Sequence, residues 1–309
     1  MRHRICSRSL LTFASLLTLA WPGQLLAGPV ILGGDDLPDH GSRSATGQNL
    51  EGWLYIEKAI GNLNTNQTRP GAITTTIAAL GSSNPGAGVF PTSNAGGAIS
   101  SAANVLGLSV SFFDTAAGIN SFFTNLASGT VNPAILWLAG TDASNNLDSA
   151  EGAALTANAA AINNFVASGG GLMSHGSGTA AYGWLSALLP GVSNVSGCNS
   201  TGATLTAAGI AAFPGLSNAN IDANAGPCHS HFTGNLGGLS VLATDGAGLN
   251  YIIGTGQGGL IQCGIPGQPA CPPPPGSNGG AVPEPGTIML LGSGLFGLAI
   301  WRKRFHPHR

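Results

Sequence analysis

The stretch that decides the fold begins Ala134-Ile135-Leu136-Trp137-Leu138-Ala139-Gly140-Thr141-Asp142, passes through a helical segment at 148–168, and closes on Gly169-Gly170-Gly171-Leu172-Met173-Ser174-His175-Gly176. Six apolar residues in a row, with no alternation, describe a strand buried on both faces. The 148–168 segment sets Ala153, Ala160, Ile162, Phe165 and Val166 among its apolar positions, and the three glycines end it. Leu172 and Met173 then start a short strand that turns at Ser174-His175-Gly176-Ser177-Gly178.

The same alternation extends in both directions. Upstream, residues 29–32, 73–80 and 108–112 read as strands, and 52–63, 97–106 and 115–126 carry helical apolar spacing. Downstream, 184–189 reads as a short helix, 190–202 as a loop, and 205–213 and 221–237 as loop-rich segments. Residues 239–243 and 251–253 read as closing strands. Apolar strands alternating with amphipathic helices predict an α/β domain over 28–253, built on a doubly wound, mostly parallel sheet. In such sheets ligands sit beyond the carboxyl ends of the strands.

Both ends of the chain read as targeting segments. Arg2, Arg4 and Arg8 precede an apolar run at 10–21, and small residues follow near Ala27, which is the pattern of a secretory signal peptide over 1–27. An uncleaved N-terminal anchor is the alternative. Residues 254–281 are a Gly/Pro-rich linker in which 272–275 form stiff polyproline II. The tail at 282–309 combines Val282-Pro283-Glu284-Pro285, an uncharged span at 286–301 and a basic cap of Arg302, Lys303 and Arg304. The span is barely long enough to cross a bilayer, and the basic cap stops transfer and puts the C-terminus in the cytoplasm. The two prolines keep the preceding segment extended, the form a membrane-embedded peptidase can grip.

Those three parts, in that order, resemble the PEP-CTERM sorting domain, also labelled an ice-binding protein C-terminal domain, which exosortase-type enzymes process in Gram-negative bacteria with exopolysaccharide-rich envelopes. The resemblance implies Sec-type export and signal peptidase, an inner-membrane stage, an exosortase-type peptidase, and a final place at the cell surface or in an exopolysaccharide matrix. The exported part, residues 29–260, is similar in its strand–helix–strand–turn order to the class I glutamine amidotransferase-like fold, a resemblance that implies a flavodoxin-like sheet. Enzymes of that group carry a nucleophilic Cys in the turn after this strand, with a downstream His and Glu. Here the turn holds Ser174 and His175 and no Cys.

Charged residues are 7% of the 309 and the net charge is −2, which excludes an electrostatic nucleic-acid footprint. Cys198, Cys228, Cys263 and Cys271 remain once the signal peptide with Cys6 is gone. An even count in an oxidising compartment favours disulfides, with proximity pairing Cys198 to Cys228 and Cys263 to Cys271. No two-residue Cys-x-x-Cys spacing supports a thiolate metal site instead.

Candidate chemistry gathers in loops. Asp35, Asp36, Asp39 and His40 follow the first strand, Asp142 follows the 134–139 strand, and Ser174 and His175 follow the next. With His229 and His231 they are expected to converge on one rim, a pattern for a metal or a polar ligand at Asp35, Asp36, His40, His229 and His231. The competing expectation is that the aspartates close Asx turns. Ser174 as a nucleophile requires an adjacent base and an oxyanion hole, and His175 next to it in an extended segment points elsewhere. Trp53, Trp137 and Trp184 lie in apolar elements and are expected in the core. Only Thr74-Thr75-Thr76 hints at an ice-binding array, without repeats. The reading that results is a surface or matrix protein whose α/β domain serves binding or structure, with no cofactor; the alternative is an envelope hydrolase or metal-dependent enzyme using the rim.

Overall fold

Residues 133–138 form one of the fully buried inner strands of the protein in a computed structural model that describes residues 27–142, 144–223 and 226–256. In chain order the elements are β1 (Val30–Gly33), β2 (Gly41–Arg43), β3 (Asn49–Glu51), α1 (Gly52–Asn66), β4 (Ile73–Leu80), α2 (Ala95–Leu106) and β5 (Ser109–Phe113). There follow α3 (Thr115–Ala127), β6 (Pro133–Leu138), α4 (Ser149–Ala157), α5 (Ala159–Ala167), β7 (Gly171–Ser174), α6 (Gly178–Tyr182) and α7 (Leu185–Leu188). The last are β8 (Val192–Ser196), β9 (Thr204–Leu205), α8 (Ala207–Ala212), α9 (Asn218–Ile221), β10 (Ser230–Gly234), β11 (Ser240–Thr244) and β12 (Asn250–Gly254).

Eight strands make one sheet in the order β5-β4-β6-β7-β1-β12-β11-β9. The five from β5 to β1 are parallel, and β12, β11 and β9 continue it antiparallel. The protein is therefore mixed α/β with a large, mostly parallel sheet. Numbered along the chain, the parallel strands run 3-2-4-5-1, whereas the flavodoxin-like order is 2-1-3-4-5. Counted from β4, the first four places do follow 2-1-3-4. The chain's first strand, β1, fills the fifth.

The helices form two groups. α1 packs with α2, α8 and α9 and lies on β1, β6 and β7, while α3 to α7 contact one another. Cover on both faces is what buries every residue of β6, β7 and β1. Trp53, Trp137 and Trp184 are fully buried, as expected of core residues, and each buried aromatic contributes about 1.5–3 kcal/mol. The indole N–H groups of Trp53 and Trp184 are satisfied by the carbonyls of Pro38 and Ala181.

The segment at 148–168 is two helices and not one. Asp148 caps α4 in a reciprocal box with Glu151, and the chain breaks at Asn158. The Asn158 amide reaches back to the Ala154 carbonyl and across to Asn120, so the side chain competes with the backbone for helical partners. The loop-rich 205–213 and 221–237 segments contain α8 and β10, and α9 lies between them, ending at Ile221; these elements of four to six residues carry too few turns to show a period. No helix among the described residues is long and apolar enough to cross a membrane. The signal peptide up to residue 26, the linker from 257, Cys263, Cys271, and the tail with its span at 286–301 lie outside the described residues.

Candidate functional site

The chain leaves β1 through Gly33-Gly34-Asp35-Asp36, and the two aspartates go to different environments. Asp35 turns into the core. Its Oδ1 lies 2.7 Å from Nδ1 of His175, and both side chains are completely buried. Nε2 of His175 faces the indole Nε1 of Trp137 at 3.3 Å. Because an indole N–H only donates, His175 Nε2 accepts, and its Nδ1 carries the proton toward Asp35. Gly33 permits this arrangement, since a Cβ there would meet Asp35 Oδ2 at 1.6 Å.

Three buried tyrosines surround the Asp35–His175 pair. Burial first, and then the Asp35 charge, pushes the phenols of Tyr55, Tyr182 and Tyr251 well above their ordinary range, so they remain neutral. Tyr182 donates to the carbonyls of Gly33 and Ser174, which ties the ends of β1 and β7 together. Ser174 Oγ is buried with no hydrogen-bond partner. Ser174 and His175 thus sit beneath the rim, in the core.

Asp36 turns the other way, into a half-exposed cluster. Its Oδ1 is 3.2 Å from Nε2 of His40 and its Oδ2 is 3.0 Å from Nε2 of His229. These are ion-pair separations without hydrogen-bond alignment: Oδ1 of Asp36 and Nε2 of His229 are shielded and have no hydrogen-bond partner. Burial by itself would raise the Asp36 carboxyl, but the imidazoles of His229 and His40 outweigh it and hold it below its ordinary value. Asp36 in return raises both histidines, and Asp142 adds to the effect on His229. Asp39 is pushed up by burial and by the charge of Asp36.

Backbone pairing fixes this cluster in place. Asp36 N–H donates to the Pro227 carbonyl, and the N–H groups of His229 and Ser230 donate to Gly34. The neighbouring Cys228 is bonded to Cys198, the pairing that proximity favoured. The rim expectation therefore divides. Asp36, His40 and His229 come together with Asp39; Asp35 and His175 pair below them; and His231, on β10, bonds the Gly197 carbonyl instead.

One part of the rim carried no sequence signal. Asn145 accepts from the N–H and hydroxyl of Ser83 and donates to the Ser83 carbonyl and to Asn94, closing the crevice between β4 and β6, where the sheet order reverses. Ser93, Asp142 and Asn145 hold positive φ in the loops after β4 and β6, and Thr115 does so at the start of α3. Backbone strain of this kind concentrates where function is built.

Residues 281–304 match the PEP-CTERM protein-sorting motif. The match takes in Val282, Pro283, Glu284, Pro285, Arg302, Lys303 and Arg304 and marks an exported, envelope-associated protein sorted by exosortase. No curated protein and no solved structure matches the chain. The PEP-CTERM tail thus supplies an address, and the α/β domain supplies whatever is delivered there.

Proposed function

We propose that this protein is cargo of the exosortase route, displayed at the cell surface or in the surrounding matrix, whose α/β domain serves binding or structure and not glutaminase chemistry. The observation that carries the reading is the sorting motif at 281–304, joined to an α/β domain. On this reading residues 1–27 direct the chain into Sec-type machinery and are removed by signal peptidase. The 286–301 span then holds the chain in the inner membrane with Arg302, Lys303 and Arg304 inside. An exosortase-type peptidase acts at the Pro283-Glu284-Pro285 segment, and exopolysaccharide is the matrix partner. The Cys198–Cys228 bond fits an oxidising compartment.

Support for a class I amidotransferase-like ancestry comes from the 2-1-3-4 strand order counted from β4. Support for lost glutaminase chemistry comes from the turn after β7, which has no thiol and keeps Ser174 and His175 out of solvent. The second reading, an envelope hydrolase or metal-dependent enzyme, is favoured by the Asp36–His40–His229 cluster alone.

The test compares wild type with Glu284→Ala and with a chain lacking residues 302–304, in a host that makes an exosortase. Both changes are expected to alter the mature mass or the membrane partition. An unchanged mass and partition in both variants would refute exosortase handling.

A further inference from the structure

We propose that Asp36, Asp39 and His40 bind a divalent transition-metal ion of the zinc class, with His229 positioning the Asp36 carboxylate. This goes beyond the sorting reading and does not depend on it.

The donors come from one five-residue turn, Asp36-Leu37-Pro38-Asp39-His40. Asp39 N–H donates to the Asp36 carbonyl and His40 N–H to that of Leu37, so the side chains at the first, fourth and fifth positions face one side. Their ligand atoms all lie within 4.8 Å of one another, and Asp36 Oδ1 and His40 Nε2 are 3.2 Å apart. Two atoms that each sit about 2.1 Å from one zinc ion stand roughly 3–4 Å apart, so only the half-exposed Asp39 needs to adjust. The turn is anchored from both ends by the bonds of Asp36 N–H to Pro227 and of Gly52 N–H to the His40 carbonyl.

A second observation concerns the buried carboxylate. The Asp36 side chain is only 6% exposed, and its Oδ1 faces the His40 ring nitrogen at 3.2 Å without an aligned hydrogen bond, while Asp39 adds like charge beside it. Burying a carboxylate is costly unless it is well paired or bound to metal. An ion between Asp36 Oδ1 and His40 Nε2 would coordinate both atoms and offset the Asp36–Asp39 repulsion. Ring nitrogen beside carboxylates suits zinc-class ions better than calcium or magnesium, which take oxygen. His229, 3.0 Å from Asp36 Oδ2, stands where an outer partner orients a ligating carboxylate. Three protein ligands leave positions open for water or a substrate oxygen. The other close group, Cys198, Cys228 and Asp245, offers no such site because its sulfurs are bonded to each other.

The experiment uses the full chain in detergent, stripped with chelator and titrated with zinc chloride by calorimetry and thermal melting. Wild type is expected to bind one tight equivalent with a rise in Tm, and cobalt at the same site to give a visible ligand-field band. Asp36→Asn and His40→Gln should each abolish that equivalent and the band. His229→Gln should keep one equivalent but weaken it about 10- to 100-fold. His40 is partly exposed, so His40→Gln carries the test should Asp36→Asn fail to fold. Two results would overturn the site: no stoichiometric binding by wild type, or undiminished binding by His40→Gln, which would put the ion elsewhere, for instance on His306 and His308. Unchanged affinity in His229→Gln would overturn its positioning role.

Discussion

Asp35 and His175, 140 residues apart in the chain, meet with a 2.7 Å contact in a part of the core that admits no solvent. The pair fastens the carboxyl end of β1 to that of β7, and Trp137 on β6 completes the line through the far side of the imidazole. Asp35 Oδ1 also accepts from the Leu37 N–H, whereas its Oδ2 has no hydrogen-bond partner, so the buried carboxylate is held through one oxygen.

Removing one member should therefore be costly. Asp35→Ala leaves His175 Nδ1 without an acceptor and is expected to destabilise the domain by about 3 kcal/mol or more. Trp137→Phe removes only the indole donor and should cost about 1–3 kcal/mol. Urea unfolding checks both, and a loss under about 0.5 kcal/mol for Asp35→Ala would show that the pair contributes no net stability.

Gly140 and Gly129 have nearly the same left-handed backbone, with φ of 78° and 75°. A Cβ on Gly140 would meet His175 Cβ at 2.7 Å, whereas one on Gly129 meets nothing within 4 Å. Gly129→Ala should cost only the backbone penalty of about 1–2 kcal/mol. Gly140→Ala should exceed it by about 1–3 kcal/mol through overpacking. Equal melting temperatures for the two variants would contradict the close approach of Gly140 to His175.

The Cys198–Cys228 bond closes a loop of sequence separation 30, for which the chain-entropy relation gives about 3–4 kcal/mol. Cys198→Ser with Cys228→Ser should lower the stability by that order. The same double variant should weaken zinc binding, because Cys228 precedes His229. A melting temperature indifferent to reductant would count against the bond.

Glu151 is buried and accepts from the N–H groups of Thr115 and Asp148 at 2.7 and 2.8 Å. Burial is the largest influence on its carboxyl, and with Asp114 and Asp148 nearby the net effect is upward from the ordinary value of 4.5. The folded chain then holds this proton more tightly than the unfolded chain. Its contribution is complete below pH 4.5 and declines as pH rises through the folded value. Melting temperatures measured from about pH 4 to 7 should fall more steeply for wild type than for Glu151→Gln. Parallel profiles would reject the shift.

Much of the central sheet was legible because periodicity is a local property. The unbroken apolar run at 134–139 is β6 displaced by one residue, 73–80 is β4 to the residue, and Asp148 caps α4. The break at Asn158 was hidden because the apolar positions keep helical spacing across it. The antiparallel β12-β11-β9 extension and the fifth place taken by β1 depend on pairings between distant segments, which no window of sequence contains.

The site divides in the same way. Residue types alone flagged Asp36, His40 and His229 as ligand chemistry, and the spacing of Asp36, Asp39 and His40 already lay within one turn. Nothing local separated Asp35 from Asp36, although successive side chains of an extended segment point to opposite sides. Only the tertiary structure sends Asp35 to His175 and Asp36 to His229.

By itself the sequence determined the address and the local elements, because a sorting tail and an amphipathic period are read within a few residues. The tertiary structure decided which loops share the rim, because the order of strands in the sheet, set by long-range packing, places the 227–230 segment against the end of β1.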